Sequence, residues 1–129
     1  MPGGATSAFK NRRFGTRVPV QLRSHCERLS SGGFVDATFT AGVHDVSAGG
    51  ALLAVTDPLP VGQRLRIALT SGEPWLNVRV VAEVVRFERR MGASRVGVRF
   101  EGLSADDRAA LVRFVLLQAQ RMRLLPASA

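Results

Sequence analysis

The sequence predicts a mainly β domain: a small antiparallel barrel closed or capped by one C-terminal helix. Three observations carry that prediction. Apolar residues alternate with period two through most of residues 18–100. Turn-forming clusters, "SSGG", "DPLPVG", "SGEP" and "RRMGAS", interrupt the alternation at short intervals. From Ser104 onward the period lengthens to that of an amphipathic helix.

Each element follows from its own stretch. Residues 1–9 are small and flexible in character and read as a disordered lead-in. In "VPVQL", Val18, Val20 and Leu22 share a face, with Pro19 at a strand start or edge. After the turn at 30–33, "FVDATFTAGVHDVS" reads as one strand or a pair, broken at Ala48–Gly50 and resumed by "ALLAV". "QRLRIAL" sets Leu65, Ile67 and Leu69 against Arg64 and Arg66 on the opposite face. "WLNVRVVAEVVRF" is a long strand with Leu76, Val78, Val80, Ala82 and Val84 inward, and "RVGVRF" returns with Val96, Val98 and Phe100 inward. Ser104 then supplies an N-cap and Asp107 a capping box. Asp106 and Asp107 suit the helix N-terminus, Arg121 and Arg123 the other end, and Pro126 is the expected stop. Leu111, Phe114, Val115, Gln118, Met122 and Leu125 form one stripe, widened by Val112, Leu116, Leu117 and Leu124. That surplus predicts either a deeply tucked helix or a second face that pairs with another copy or a partner.

Composition bounds the function. At 129 residues the chain suits one domain with a modest core, and its 46% hydrophobic and 22% charged content is ordinary for a globular protein. No apolar run approaches the roughly 18–20 residues of a membrane span, and the N-terminus lacks the order of a signal peptide. One cysteine, Cys26, excludes an internal disulfide, and the expected compartment is the cytoplasm. The formal charge is +8, and 17 of the 18 basic residues are arginine, densest at Lys10, Arg12, Arg13 and Arg17. Such a surplus favours an anionic partner. A general nucleic-acid binder is disfavoured, because the chain has one Trp, no Tyr, and Phe residues that mostly fit core positions.

Catalytic chemistry finds little to work with. His25, His44 and Cys26 do not supply zinc-ligand spacing. His44, Asp45 and Ser47 are too close along one strand to converge as a triad. No phosphate-binding loop or dinucleotide fingerprint is present. The sequence therefore predicts a protein that is not an enzyme and needs no metal or cofactor.

Two short motifs remain. Arg13 and Arg17 form RxxxR, and two guanidinium forks four residues apart suit phosphate oxygens, a guanine edge or a purine face. Asp45, Ser47 and Gly50 form DxSxxG. A carboxylate accepts paired donors such as the Watson–Crick edge of guanine, and a serine hydroxyl can donate to phosphate. Gly49 and Gly50 can let main chain approach a ligand, although the same residues also suit a plain strand-ending turn. Asp45 and Ser47, two apart, are expected on one face.

RxxxR followed by DxSxxG, with "LPVGQRLRIAL", "VRVVAEVVRF" and "RVGVRFEGLSADDRAALVRFV" downstream, resembles the PilZ domain, a bacterial receptor for cyclic di-GMP. The likeness runs over about residues 10–120. It implies a six-stranded antiparallel barrel with a C-terminal helix, occupying residues 10–125 between the lead-in and a tail at 126–129. It also implies a cyclic di-GMP site in which Arg13 and Arg17 contact guanine and phosphate and Asp45 holds a guanine edge. Ser47 and Gly50 would shape the phosphate-facing turn, with Arg12 and Gly49 as further candidates. The function so implied is an effector whose N-terminal segment folds over the barrel on binding the nucleotide. The altered surface would then signal to a protein partner in control of motility, biofilm, pili or exopolysaccharide. The alternative is a protein–protein adaptor on the same fold that ignores the nucleotide.

Overall fold

In a computed structural model, the backbone is described for residues 18–72 and 75–128, and side chains for residues 22–72 and 75–121. Six strands precede one helix: β1 (Val18–Leu29), β2 (Val35–Val46), β3 (Gly50–Val55), β4 (Arg64–Gly72), β5 (Trp75–Arg90), β6 (Ala93–Glu101) and α1 (Ala105–Ser128). All neighbouring strands are antiparallel, in the closed order β1-β2-β3-β6-β5-β4. Closure comes from β1, which pairs with β2 on one side and with β4 on the other, from Arg23↔Thr70 to Leu29↔Arg64. A closed barrel leaves no sheet edge open to another chain.

Alternation decides which side chains fill the barrel. Leu65, Ile67 and Leu69 of β4 are wholly buried, as are Ala82 and Val84 of β5. Arg64 and Arg66, one residue out of phase, face solvent and pair with Glu101 at 2.7 Å and Glu27 at 2.9 Å. Such exposed pairs contribute about 0–1 kcal/mol each, so the apolar interior carries the stability. Two hairpin turns need a left-handed residue and place glycine there: Gly33 at φ 85° and Gly92 at φ 77°.

The helix begins as expected. The Asp107 amide donates to the Ser104 hydroxyl at 3.0 Å, and the Arg108 amide to the Ser104 carbonyl at 2.9 Å. Leu111, Phe114 and Val115 are buried in the barrel core, against β5 and β1, whereas Val112, Leu116 and Leu117 are 41%, 55% and 40% exposed. The surplus apolar residues in this stretch therefore face outward. Pro126 does not stop the helix, which runs on to Ser128. A proline in the closing turn forfeits one backbone donor, a loss that does not fix the boundary to the residue. No described helix is long and apolar enough to cross a membrane.

Candidate ligand-binding site

The DxSxxG motif spans the end of β2 and the turn into β3. Along β2, Ala41 and Val43 point inward by simple alternation, which would send Asp45 inward too. A β-bulge prevents this. Val43 faces Leu53 and Asp45 faces Leu52, so His44 is an extra residue without an opposite number. The inward position passes to Val46, wholly buried, while His44 is exposed and Asp45 half-buried on the outer side. Asp45 then stands between Pro19 of β1 and Leu52 of β3.

Ser47 has a different environment, and the expectation that it shares a face with Asp45 does not hold. Its side chain is wholly buried within the turn. The Gly49 amide donates to the Ser47 hydroxyl at 3.2 Å, the Ser47 amide donates to the Gly50 carbonyl at 2.9 Å, and the hydroxyl lies 3.5 Å from that same carbonyl. Ser47 thus holds the backbone of the turn that follows Asp45. The Gly49 carbonyl accepts from the Phe100 amide of β6 at 2.9 Å, tying the turn to the barrel.

Gly50 is required by space. A Cβ there would lie 2.2 Å from the Val98 carbonyl oxygen, a backbone atom of the neighbouring strand. Its hydrogen therefore admits β6, and the close approach is strand to strand.

Arg12, Arg13 and Arg17 lie outside the described residues. The register nevertheless fixes where their segment joins the barrel. Val18, next after Arg17, faces Val46, and Pro19 faces Asp45. The chain leaving RxxxR thus enters the barrel directly beside the DxSxxG turn.

The outer face continues past Asp45 in one row: Asp45 to Leu52 of β3, Leu52 to Gly97 of β6, and Gly97 to Arg86 of β5. Among the described residues no group of three or more His, Cys, Asp or Glu is arranged to hold a metal ion.

A sequence profile of the PilZ domain matches residues 10–117. The chain belongs to the PilZ domain family. Both motifs and all six strands fall within the matched region. The flagellar brake protein YcgR of Leptothrix cholodnii is 35% identical over 124 residues, covering 91% of this chain and 49% of that protein. The chain thus spans about half the length of this relative. Among solved structures, the PilZ domain of Escherichia coli YcgR with c-di-GMP superposes with a TM-score of 0.66 at 18% identity, over 88% of this chain and 95% of that one. The Bacillus subtilis inhibitor of motility MotI/DgrA gives 0.70 at 17% identity, over 83% of this chain and 51% of that one. At these identities the structural likeness is one of fold, and it matches the closed six-stranded barrel with its C-terminal helix.

Proposed function

We propose that this chain is a cyclic di-GMP receptor module without enzymatic activity, working in the cytoplasm and passing its ligand state to a protein partner. One observation above all supports the reading: the Val18↔Val46 register, which joins the end of RxxxR to the start of the DxSxxG turn. Membership of the PilZ family and the presence of all five signature residues, Arg13, Arg17, Asp45, Ser47 and Gly50, agree with it. So does the E. coli YcgR domain, a fold relative solved with this nucleotide.

In this reading each residue has a separate task. Asp45, turned outward by its bulge, accepts hydrogen bonds from the donor edge of one guanine. Arg13 and Arg17 supply forks to guanine acceptors and phosphate oxygens, with Arg12 beside them. Ser47, Gly49 and Gly50 act through the backbone, holding the turn at its place on the barrel. No covalent bond forms or breaks. Binding fastens the RxxxR segment to the β2–β3 turn, and the changed surface is what the partner reads.

An arginine fork on a base edge is worth roughly 1–3 kcal/mol, and tenfold in affinity is about 1.4 kcal/mol. Arg13→Ala, Arg17→Ala and Asp45→Ala are each expected to weaken cyclic di-GMP binding about tenfold or more by calorimetry, with thermal stability little changed. Unaltered affinity in all three would remove the assignment.

A further inference from the structure

We infer that the end of the barrel opposite the DxSxxG turn is a docking surface for the anionic headgroup region of a lipid bilayer. Docking there leaves the nucleotide site open and does not depend on it.

Topology gathers three connections at that end. The antiparallel order brings the ends of β1, β3 and β5 together with the starts of β2, β4 and β6, so residues 30–34, 56–63 and 91–92 share one mouth. Val18, Asp45 and Val46 lie at the other end. The 56–63 loop leaves beside the β5–β6 hairpin, at Val55↔Ser94, and arrives beside the β1–β2 turn, at Leu29↔Arg64. It crosses the mouth with Leu59 buried in the core. Gly32 and Gly33 of one connection and Val61 and Gly62 of another line a common cleft.

Each connection carries a large apolar side chain in solvent. Phe34 is 76% exposed, Val61 65% and Met91 100%, with Val35 exposed beside Phe34. Turns ordinarily hold Gly, Pro, Asn, Asp or Ser. An apolar residue on each of three turns at one end is a patch that the fold itself does not use.

Arginine stands directly behind these tips. Arg89 and Arg90 precede Met91, and Arg95 follows on β6. Arg28 pairs with Asp36 at 2.8 Å, Arg64 with Glu101 at 2.7 Å and Arg90 with Glu88 at 3.4 Å. Arg89 and Arg95 have no ion-pair partner among the described residues, and Asp57 alone remains to oppose them. The whole chain carries +8, which draws it to an anionic surface. Guanidinium forks match lipid phosphate oxygens.

A bilayer suits this surface better than a protein partner does. The apolar groups protrude on separate turns instead of forming one flat or concave face, and headgroups can close around each tip. The turn backbone is also prepared for a medium poor in water. The Ser30 amide donates to the Phe34 carbonyl at 2.7 Å, the Gly33 amide to the Ser30 carbonyl at 2.8 Å, and the Phe34 amide to the Ser30 hydroxyl at 3.1 Å. The Gly62 amide likewise donates to the Val84 carbonyl at 2.7 Å.

The test is cosedimentation of the whole chain with two kinds of vesicle: phosphatidylcholine alone, and equal parts phosphatidylcholine and phosphatidylglycerol. The wild type is expected to bind the anionic vesicles and not the neutral ones. The triple variant Phe34→Ser, Val61→Ser, Met91→Ser should lose about tenfold or more in affinity, and the double variant Arg89→Gln, Arg95→Gln about tenfold. Trp75→Ser removes an apolar residue, 72% exposed, from the opposite end and should bind as the wild type does. All three should keep the wild-type thermal midpoint within a few degrees. Brominated lipid should quench a tryptophan placed by Met91→Trp in a Trp75→Phe chain and leave the native Trp75 unquenched. A wild type that ignores anionic vesicles would overturn the membrane role and leave an acidic protein surface as the occupant. A triple variant that binds as tightly as the wild type, or an equal loss in Trp75→Ser, would overturn it too, since adsorption would then follow net charge or another face. None of these outcomes bears on cyclic di-GMP binding.

Discussion

Replacing Gly50 with alanine sets a Cβ 2.2 Å from the Val98 carbonyl oxygen, and that oxygen belongs to backbone. A flexible side chain could swing aside; a strand in a closed barrel has nowhere to go. Restoring ordinary contact needs a separation of about 1 Å between β3 and β6, at the point where the Phe100 amide donates to the Gly49 carbonyl at 2.9 Å. Overpacking of this kind costs about 1–3 kcal/mol, and the hydrogen bond adds about 0.5–1.5 kcal/mol. The expected loss is therefore about 2–4 kcal/mol, or roughly 10 °C in thermal midpoint for a domain of this size. Urea unfolding of the wild type and Gly50→Ala measures it directly. The same displacement moves the turn that Ser47 holds, so the surviving folded fraction should also bind nucleotide more weakly. A Gly50→Ala stability within about 0.5 kcal/mol of wild type would refute the steric argument, and with it the view that this signature glycine serves strand contact.

Two further outcomes follow from the packing. Phe114→Ala empties a wholly buried position where the helix meets the barrel and should cost about 3–5 kcal/mol in urea unfolding, whereas Leu116→Ala, 55% exposed two residues on, should change it by less than about 0.5 kcal/mol; equal effects would contradict the assigned helix face. Burial pushes the Cys26 thiol above its ordinary pKa of 9.0, partly offset by the Ser24 hydroxyl 3.5 Å away. Folded and unfolded chains both hold the proton below that value, and above it the unfolded chain ionises first. The thiol's contribution to stability is thus complete at neutral pH and lost as pH climbs from 9.0 through the raised folded value. The stability difference between wild type and Cys26→Ala should shrink over that range, and a difference independent of pH would contradict the burial.

Much of the barrel could be read directly because burial on one face imposes period two. Leu65, Ile67 and Leu69 announce their inward side, as do Leu76 through Val84, and Ser104 announces the helix. The strand order β3-β6 and the β1–β4 closure are long-range pairings that no local pattern encodes. The DxSxxG stretch is legible as a motif and less so as a geometry. A single inserted residue at His44 reverses what alternation says of Asp45, and another at Val85 does the same for Arg86. That the space a Cβ on Gly50 would fill is taken by the Val98 carbonyl is revealed only by three-dimensional packing. The hydroxyl of Ser47 is engaged by the turn itself, accepting from the Gly49 amide, a contact that no local pattern announces.

The most direct test of the account is one titration: cyclic di-GMP into the wild-type chain, beside GTP and cyclic GMP as controls. Saturable heat is expected with cyclic di-GMP and much weaker binding of either control at matched concentration, because one guanine with its own phosphate meets only part of the set of groups that two guanines and two phosphodiesters engage together. No heat with cyclic di-GMP, or equal binding of GTP, would contradict it.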